Sequence, residues 1–123
     1  MAKILIVDDE PAIVEALSLR LGANGYEVIS AADGVEGLQK ARTEKPDLII
    51  LDIMLPKMDG FKVCRMLKFD EKHGSIPIIL LTAKVQQLDL EQGKEAGADA
   101  YMTKPFRSDE LLAKIKELLD KNK

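Results

Sequence analysis

The chain has 123 residues, with 18 Lys and Arg against 21 Asp and Glu and a formal net charge of -3. That length makes one domain, residues 1–123, able to bury a core without disulfides or structural metal; mild charge with no basic stripe counts against direct binding of DNA or RNA. The single cysteine, Cys64, permits no internal disulfide and fits a reducing cytoplasm, and the N-terminal apolar stretch from Ile4 to Val7 is too short for a signal-peptide core or a membrane span.

Strands and helices alternate along the sequence. The run Lys3-Ile4-Leu5-Ile6-Val7-Asp8 predicts the first strand. A helix follows from about Glu10, with Asp9 placed to cap it, Pro11 tolerated in its first turn, and Ile13, Val14, Leu17 and Leu21 on its apolar face. Gly22 and Asn24-Gly25 end it. Glu27 to Ala31 is a shorter, more polar run, as an edge strand should be. The second helix starts after Asp33-Gly34, turns Val35, Leu38 and Ala41 to one side, and stops before Pro46. Leu48 to Asp52 is the third strand, and the third helix buries Phe61, Cys64 and Leu67. Ile78 to Thr82 is the fourth strand. The fourth helix, about Gln86 to Ala96, has a thin apolar side (Val85, Leu88, Ala96), with Gly93 in its middle costing about 1 kcal/mol relative to alanine. Ala100-Tyr101-Met102-Thr103 precedes Lys104, and the last helix spaces Leu111, Ile115, Leu118 and Leu119 at helical intervals. Its end, Asp120-Lys121-Asn122-Lys123, suits a free terminus or the start of a linker. Continuous apolar strands between helices read as a parallel sheet buried on both faces, in a three-layer αβα sandwich.

In such a sheet the carboxyl ends of the strands form one rim, where ligands bind. Asp8, Asp9, Asp52, Thr82 and Lys104 all fall there. Asp52 is the candidate nucleophile for phosphoryl transfer, being the only carboxylate at the end of a central, wholly apolar strand and able to form an acyl phosphate. Three carboxylates in one crevice repel one another and an incoming phosphate unless a cation joins them, and hard oxygen ligands favour Mg²⁺. Lys104 can pair with the added charge, and Thr82 can hydrogen-bond a phosphoryl oxygen. Singly, each residue has a plainer role: Asp9 as a helix cap, Asp52 as a strand end, Thr82 as a β-branched strand residue, Lys104 in a solvated turn, Tyr101 in the core. Their joint occurrence at the strand ends favours the site. His73, before Gly74 in a polar loop, reads as solvated.

These residues resemble the receiver domain of bacterial two-component response regulators, the CheY-like family. The likeness runs from Ile4-Leu5-Ile6-Val7-Asp8-Asp9-Glu10 through Leu51-Asp52-Ile53-Met54-Leu55-Pro56 and Met58-Asp59-Gly60 to Leu81-Thr82-Ala83, Gly97-Ala98-Asp99 and Lys104-Pro105-Phe106. The resemblance implies a five-stranded parallel sheet in order 2-1-3-4-5 with five helices, and a cis bond at Lys104-Pro105. It implies phosphorylation of Asp52 by a sensor histidine kinase or histidine phosphotransfer protein, catalysed within the domain with Thr82 and Lys104. It gives Mg²⁺ the ligands Asp9, Asp52, the main-chain carbonyl of Met54 and, largely through water, Asp8. Thr82 and Tyr101 become a switch that reshapes the surface of the fourth helix, fifth strand and fifth helix for a downstream protein or a fused output domain. Ala100 and Lys114 depart from the Asp and Arg of receivers that dimerise there, which counts against a salt-bridged dimer of that type.

A phosphatase with an aspartyl nucleophile on a similar fold is the main alternative. Such enzymes carry a second aspartate two residues on, where this chain has Met54. A flavin or dinucleotide module fits worse, because the turn Asp8-Asp9-Glu10-Pro11 is acidic and lacks the glycines that let backbone approach phosphate. A degenerate receiver used only for docking would not need the complete set of site residues found here.

Overall fold

Strands without a polar face need cover on both sides. The computed structural model, which describes residues 1–82 and 87–121, has that arrangement. The elements follow one another as β1 (Lys3–Val7), α1 (Pro11–Ala23), β2 (Glu27–Ala31), α2 (Gly34–Glu44), β3 (Leu48–Asp52), α3 (Gly60–Lys68), β4 (Ile78–Thr82), α4 (Gln87–Ala96), β5 (Ala100–Thr103) and α5 (Ser108–Lys121). The sheet is parallel throughout, in the expected order β2-β1-β3-β4-β5. Because side chains alternate across a strand, each apolar run divides between two cores. Leu5, Val7, Ile49, Leu51, Ile78 and Leu80 face α2, α3 and α4. Ile4, Ile6, Leu48, Ile50, Ile79 and Leu81 face α1 and α5. The edge strands β2 and β5 are mostly half-buried, as their polar content requires.

Several local readings need correction. Asp9 does not cap α1. Glu10 holds the N-cap position without a side-chain bond, and Asp8 Oδ1 instead accepts the Glu10 amide at 2.9 Å. Pro11 opens the helix with a preset φ and no N–H to satisfy, so the start falls later than a cap at Asp9 requires. Val35 is exposed rather than part of the α2 core face, which is Leu38 and Ala41 with Gly37 against Val7. On α3, Val63 joins Cys64 and Leu67 in the core while Phe61 is half-buried. Leu119 of α5 is also half-buried. Of the thin apolar side expected for α4, Ala96 is buried; Val85 and the Leu88 side chain lie outside what is described.

His73 is buried, at 7% exposure, and its Nδ1 lies 2.8 Å from Asp70 Oδ2. The turn after α3 folds back on itself, with the His73 and Gly74 amides donating to the Asp70 carbonyl, and this carries the ring inward. The imidazole holds the Asp70 carboxyl below its ordinary range. Asp70 also reaches Arg42 of α2 at 3.9 Å.

Candidate functional site

Parallel register converts separate strand ends into one site. Val7 pairs with Leu51 and Leu51 with Leu80, so Asp8 and Asp52 emerge side by side one step further along. Thr82 ends β4 beside Thr103 of β5, and the Lys104 amide donates to the Thr82 carbonyl at 2.6 Å. All the strand-end candidates therefore lie on the carboxyl rim. Asp8 and Asp52 are buried, at 2% and 5% exposure, as is Thr82, whereas Asp9 stands exposed at the mouth. One carboxylate oxygen from each of Asp8, Asp9 and Asp52 lies within 4.8 Å of the others. Lys104 Nζ donates to Asp8 Oδ2 at 2.9 Å and stands 3.6 Å from Asp52 Oδ1. The Lys104-Pro105 bond is cis, as expected from the resemblance.

The electrostatics follow from this crowding. Burial, and after it the neighbouring Asp8 charge, push the Asp52 carboxyl from an ordinary 3.8 to about 6, against the pull of Lys104. Burial works against the charged form of Lys104, but its hydrogen bond to Asp8 and the charges of Asp52, Asp8 and Glu10 outweigh it and raise the net value. Lys104 offsets only one of three clustered negative charges. The donor set is hard carboxylate oxygen of the kind that suits a divalent cation of magnesium type.

Two Asp-Gly pairs shape the loop that follows Asp52. Asp59 caps α3 by accepting the Lys62 amide at 3.0 Å, and Asp33 caps α2 by accepting the Glu36 amide at 2.8 Å. The adjoining glycines face the two ends of that loop: a Cβ on Gly60 would stand 2.2 Å from the Asp52 carbonyl oxygen, and one on Gly34 only 1.9 Å from that of Met58. The sequence displayed both pairs, but nothing in it said that they close on the same loop. Met54 is 78% exposed, so its side chain lies open to solvent on the loop that follows Asp52.

Glu10, not among the residues predicted for the site, comes within 3.6 Å of Lys104. Tyr101 is half-buried with its hydroxyl oxygen enclosed. A Cβ on Gly93 would lie 3.1 Å from its ring and 3.5 Å from the Leu80 side chain. Gly93 thus makes room for an aromatic ring as well as weakening a helix, and this conformation has the ring packed inward. Lys84 lies outside the described residues.

A parallel αβα domain with carboxylates and a lysine converging on its carboxyl rim has the architecture of a CheY-like signalling switch. The family model for the response regulator receiver domain matches residues 4–116. The Bacillus subtilis alkaline phosphatase synthesis transcriptional regulatory protein PhoP is 53% identical over 117 residues, covering 95% of this chain and 48% of PhoP. A response regulator receiver domain protein from Methanospirillum hungatei superposes with a TM-score of 0.93 at 37% identity, covering 99% of this chain and 96% of that one. The receiver domain of a sensor histidine kinase from Pseudomonas aeruginosa, solved with a magnesium ion coordinated in its active site cleft, gives 0.89 at 33% identity, covering 97% and 98%. The chain belongs to the response regulator receiver domain family, the phosphoacceptor signalling domains of two-component systems. It spans about half the length of the curated relatives it matches. Membership favours the phosphoacceptor reading over the aspartyl phosphatase. Among the described residues, no helix is long and apolar enough to cross a membrane.

Proposed function

We propose that Asp52 is the phosphoacceptor and that the domain catalyses its own phosphorylation from a phosphohistidine on a sensor histidine kinase or histidine phosphotransfer protein. The observation that carries this reading is the buried Asp52 carboxylate with Lys104 Nζ at 3.6 Å and the Asp8 and Asp9 carboxylates clustered beside it. With its carboxyl pushed up to about 6, Asp52 is still mostly ionised at neutral pH and can attack. One of its oxygens forms a bond to phosphorus as the bond from phosphorus to the donor nitrogen breaks. Lys104 pairs with the charge gained on the phosphoryl oxygens, and Thr82 donates its hydroxyl to one of them. Asp8, Asp9, Asp52 and the Met54 carbonyl would hold Mg²⁺, which when bound neutralises the carboxylates and a phosphoryl oxygen.

The output follows from the same atoms. Drawing the Thr82 hydroxyl toward a phosphoryl group favours one packing of Tyr101 over another, and α4, β5 and α5 carry that change to a downstream protein or a fused output domain. Relatives named as transcriptional regulators make a DNA-binding output region elsewhere in the protein the natural recipient. The receiver domain is read as extending over residues 1–123.

Incubation with a small acyl phosphate and Mg²⁺ tests the assignment. Intact-mass spectra should show one added phosphoryl group, lost in Asp52→Asn and suppressed by chelator. Unchanged labelling of Asp52→Asn sinks it. Thr82→Ala should retain labelling yet lose much of the chemical-shift response of α4 and β5 to a beryllofluoride mimic.

A further inference from the structure

We propose that Gly34 is a positioning residue for the loop between Asp52 and α3, and that its lack of a side chain sets the geometry of the phosphoacceptor site from 18 residues away in sequence. The inference rests on the reading of Asp52 as phosphoacceptor. The N-terminus of α2 is seated on the backbone of this loop. The Gly34 amide, one of the helix's unpaired first-turn donors, donates to the Pro56 carbonyl at 3.2 Å. The Met58 amide donates to the same oxygen at 2.7 Å and closes a turn in which Lys57 adopts φ 68. Lys57 Nζ stands 3.5 Å from Asp33 Oδ2. Asp33 is itself fixed, since its Oδ1 accepts the Glu36 amide, while Glu36 Oε1 accepts the Ala32 amide at 2.7 Å.

The closeness of this seat is what makes Gly34 matter. A Cβ there would lie 1.9 Å from the Met58 carbonyl oxygen and 2.7 Å from its carbon. Both are backbone atoms, so no rotamer change relieves the contact, and the loop would have to retreat by about 1 Å. At its other end, Gly60 rests against the Asp52 carbonyl, and its amide donates to the Ile53 carbonyl at 2.9 Å. Held between two glycines, the loop has little freedom to absorb a displacement except by moving Asp52, Ile53 and Met54. Those residues include the nucleophile and the main-chain carbonyl proposed for Mg²⁺. A misplacement of about 1 Å at reacting groups costs up to about 100-fold in rate.

Gly34→Ala is the test and Gly37→Ala its control. Gly37 lies on the same helix, but the nearest atoms to a Cβ there belong to the Val7 side chain in the core, at 2.8 Å and beyond, and not to the loop backbone. Gly34→Ala should raise the Mg²⁺ dissociation constant, measured by calorimetry, about tenfold and slow acyl-phosphate labelling about 10- to 100-fold. Gly37→Ala should melt at lower temperature with wild-type affinity and rate. Folded Gly34→Ala with wild-type affinity and rate overturns the proposal, and so does an equal loss in Gly37→Ala. Labelling that survives Asp52→Asn would instead overturn the phosphoacceptor reading. If Gly34→Ala does not fold, the wild type decides. Exchange of the Gly34 and Met58 amides should slow about tenfold or more on adding Mg²⁺ with beryllofluoride, because ordering the site orders the shared Pro56 acceptor. Unchanged exchange overturns the proposal.

Discussion

The most direct consequence of the crowded crevice is that Asp52 destabilises the metal-free fold at neutral pH. Its carboxyl is raised from 3.8 to about 6, first by burial and then by Asp8. The folded state therefore binds the proton more tightly than the unfolded chain does. Stability from this group is greatest below pH 3.8, falls as pH rises between 3.8 and about 6, and stays low above that. A shift of about 2 units corresponds to about 3 kcal/mol, and screening by water at the crevice mouth brings the expected effect to about 1–2 kcal/mol. Asp52→Asn removes the ionisation while keeping the shape. Its advantage over wild type should be small at pH 4 and reach about 1–2 kcal/mol at pH 7.5, about 0.5–1 M in the urea midpoint. Carboxylates remote from the crevice titrate in both proteins and cancel in the difference. Urea titrations followed by far-ultraviolet circular dichroism, in chelator, measure it. Saturating Mg²⁺ should then stabilise the wild type more than the variant, because the cation relieves the same repulsion. A variant less stable than wild type at pH 7.5, or a difference that does not change with pH, would refute the electrostatic argument.

Four further outcomes are expected. Asp9→Ala should weaken Mg²⁺ binding more than Lys104→Ala does, since one loses a carboxylate and the other a repelling cation; calorimetry showing equal metal affinity in wild type and Asp9→Ala excludes this ligand set. The residues two beyond Asp52 and two beyond Thr82, Met54 and Lys84, should flank the approach of the hydrolytic water. Neither supplies the amide or carboxylate that would orient it, so the phosphorylated domain should decay more slowly than receivers that have them, and a Met54→Asn, Lys84→Glu double variant should decay faster in a timed mass-spectrometric assay. Gly60→Ala should destabilise by about 1–3 kcal/mol or more in urea titrations, because the added Cβ would lie 2.2 Å from the Asp52 carbonyl oxygen. His73→Ala should destabilise by about 1–3 kcal/mol, and the Asp70 carboxyl, freed from the imidazole that lowers it, should titrate at higher pH by carbon-detected NMR.

The sequence by itself determined the layers and the rim. Four or five consecutive apolar residues ending in Asp52 or Thr82 can be satisfied only between two helical layers, and alternation of side chains then divides Ile4-Leu5-Ile6-Val7 between two cores without further information. Strand ends in a parallel sheet share one edge, so recognising the strands set Asp8, Asp52, Thr82 and Lys104 on one rim, and the order β2-β1-β3-β4-β5, implied by the family resemblance, set their strands side by side. Contacts made across the fold were decided elsewhere. His73 gave no sign of burial, because its partner Asp70 acts only when the turn after α3 folds back under α2. In the sequence Gly93 reads as a defect in a helix, and only the fold sets the Tyr101 ring of β5 against it. In the sequence, Asp33-Gly34 reads as a helix start and Asp59-Gly60 as part of a family motif. Only the tertiary structure presses both glycines onto the loop that begins at Asp52, since a missing side chain leaves no signal in the sequence for which backbone will occupy its space.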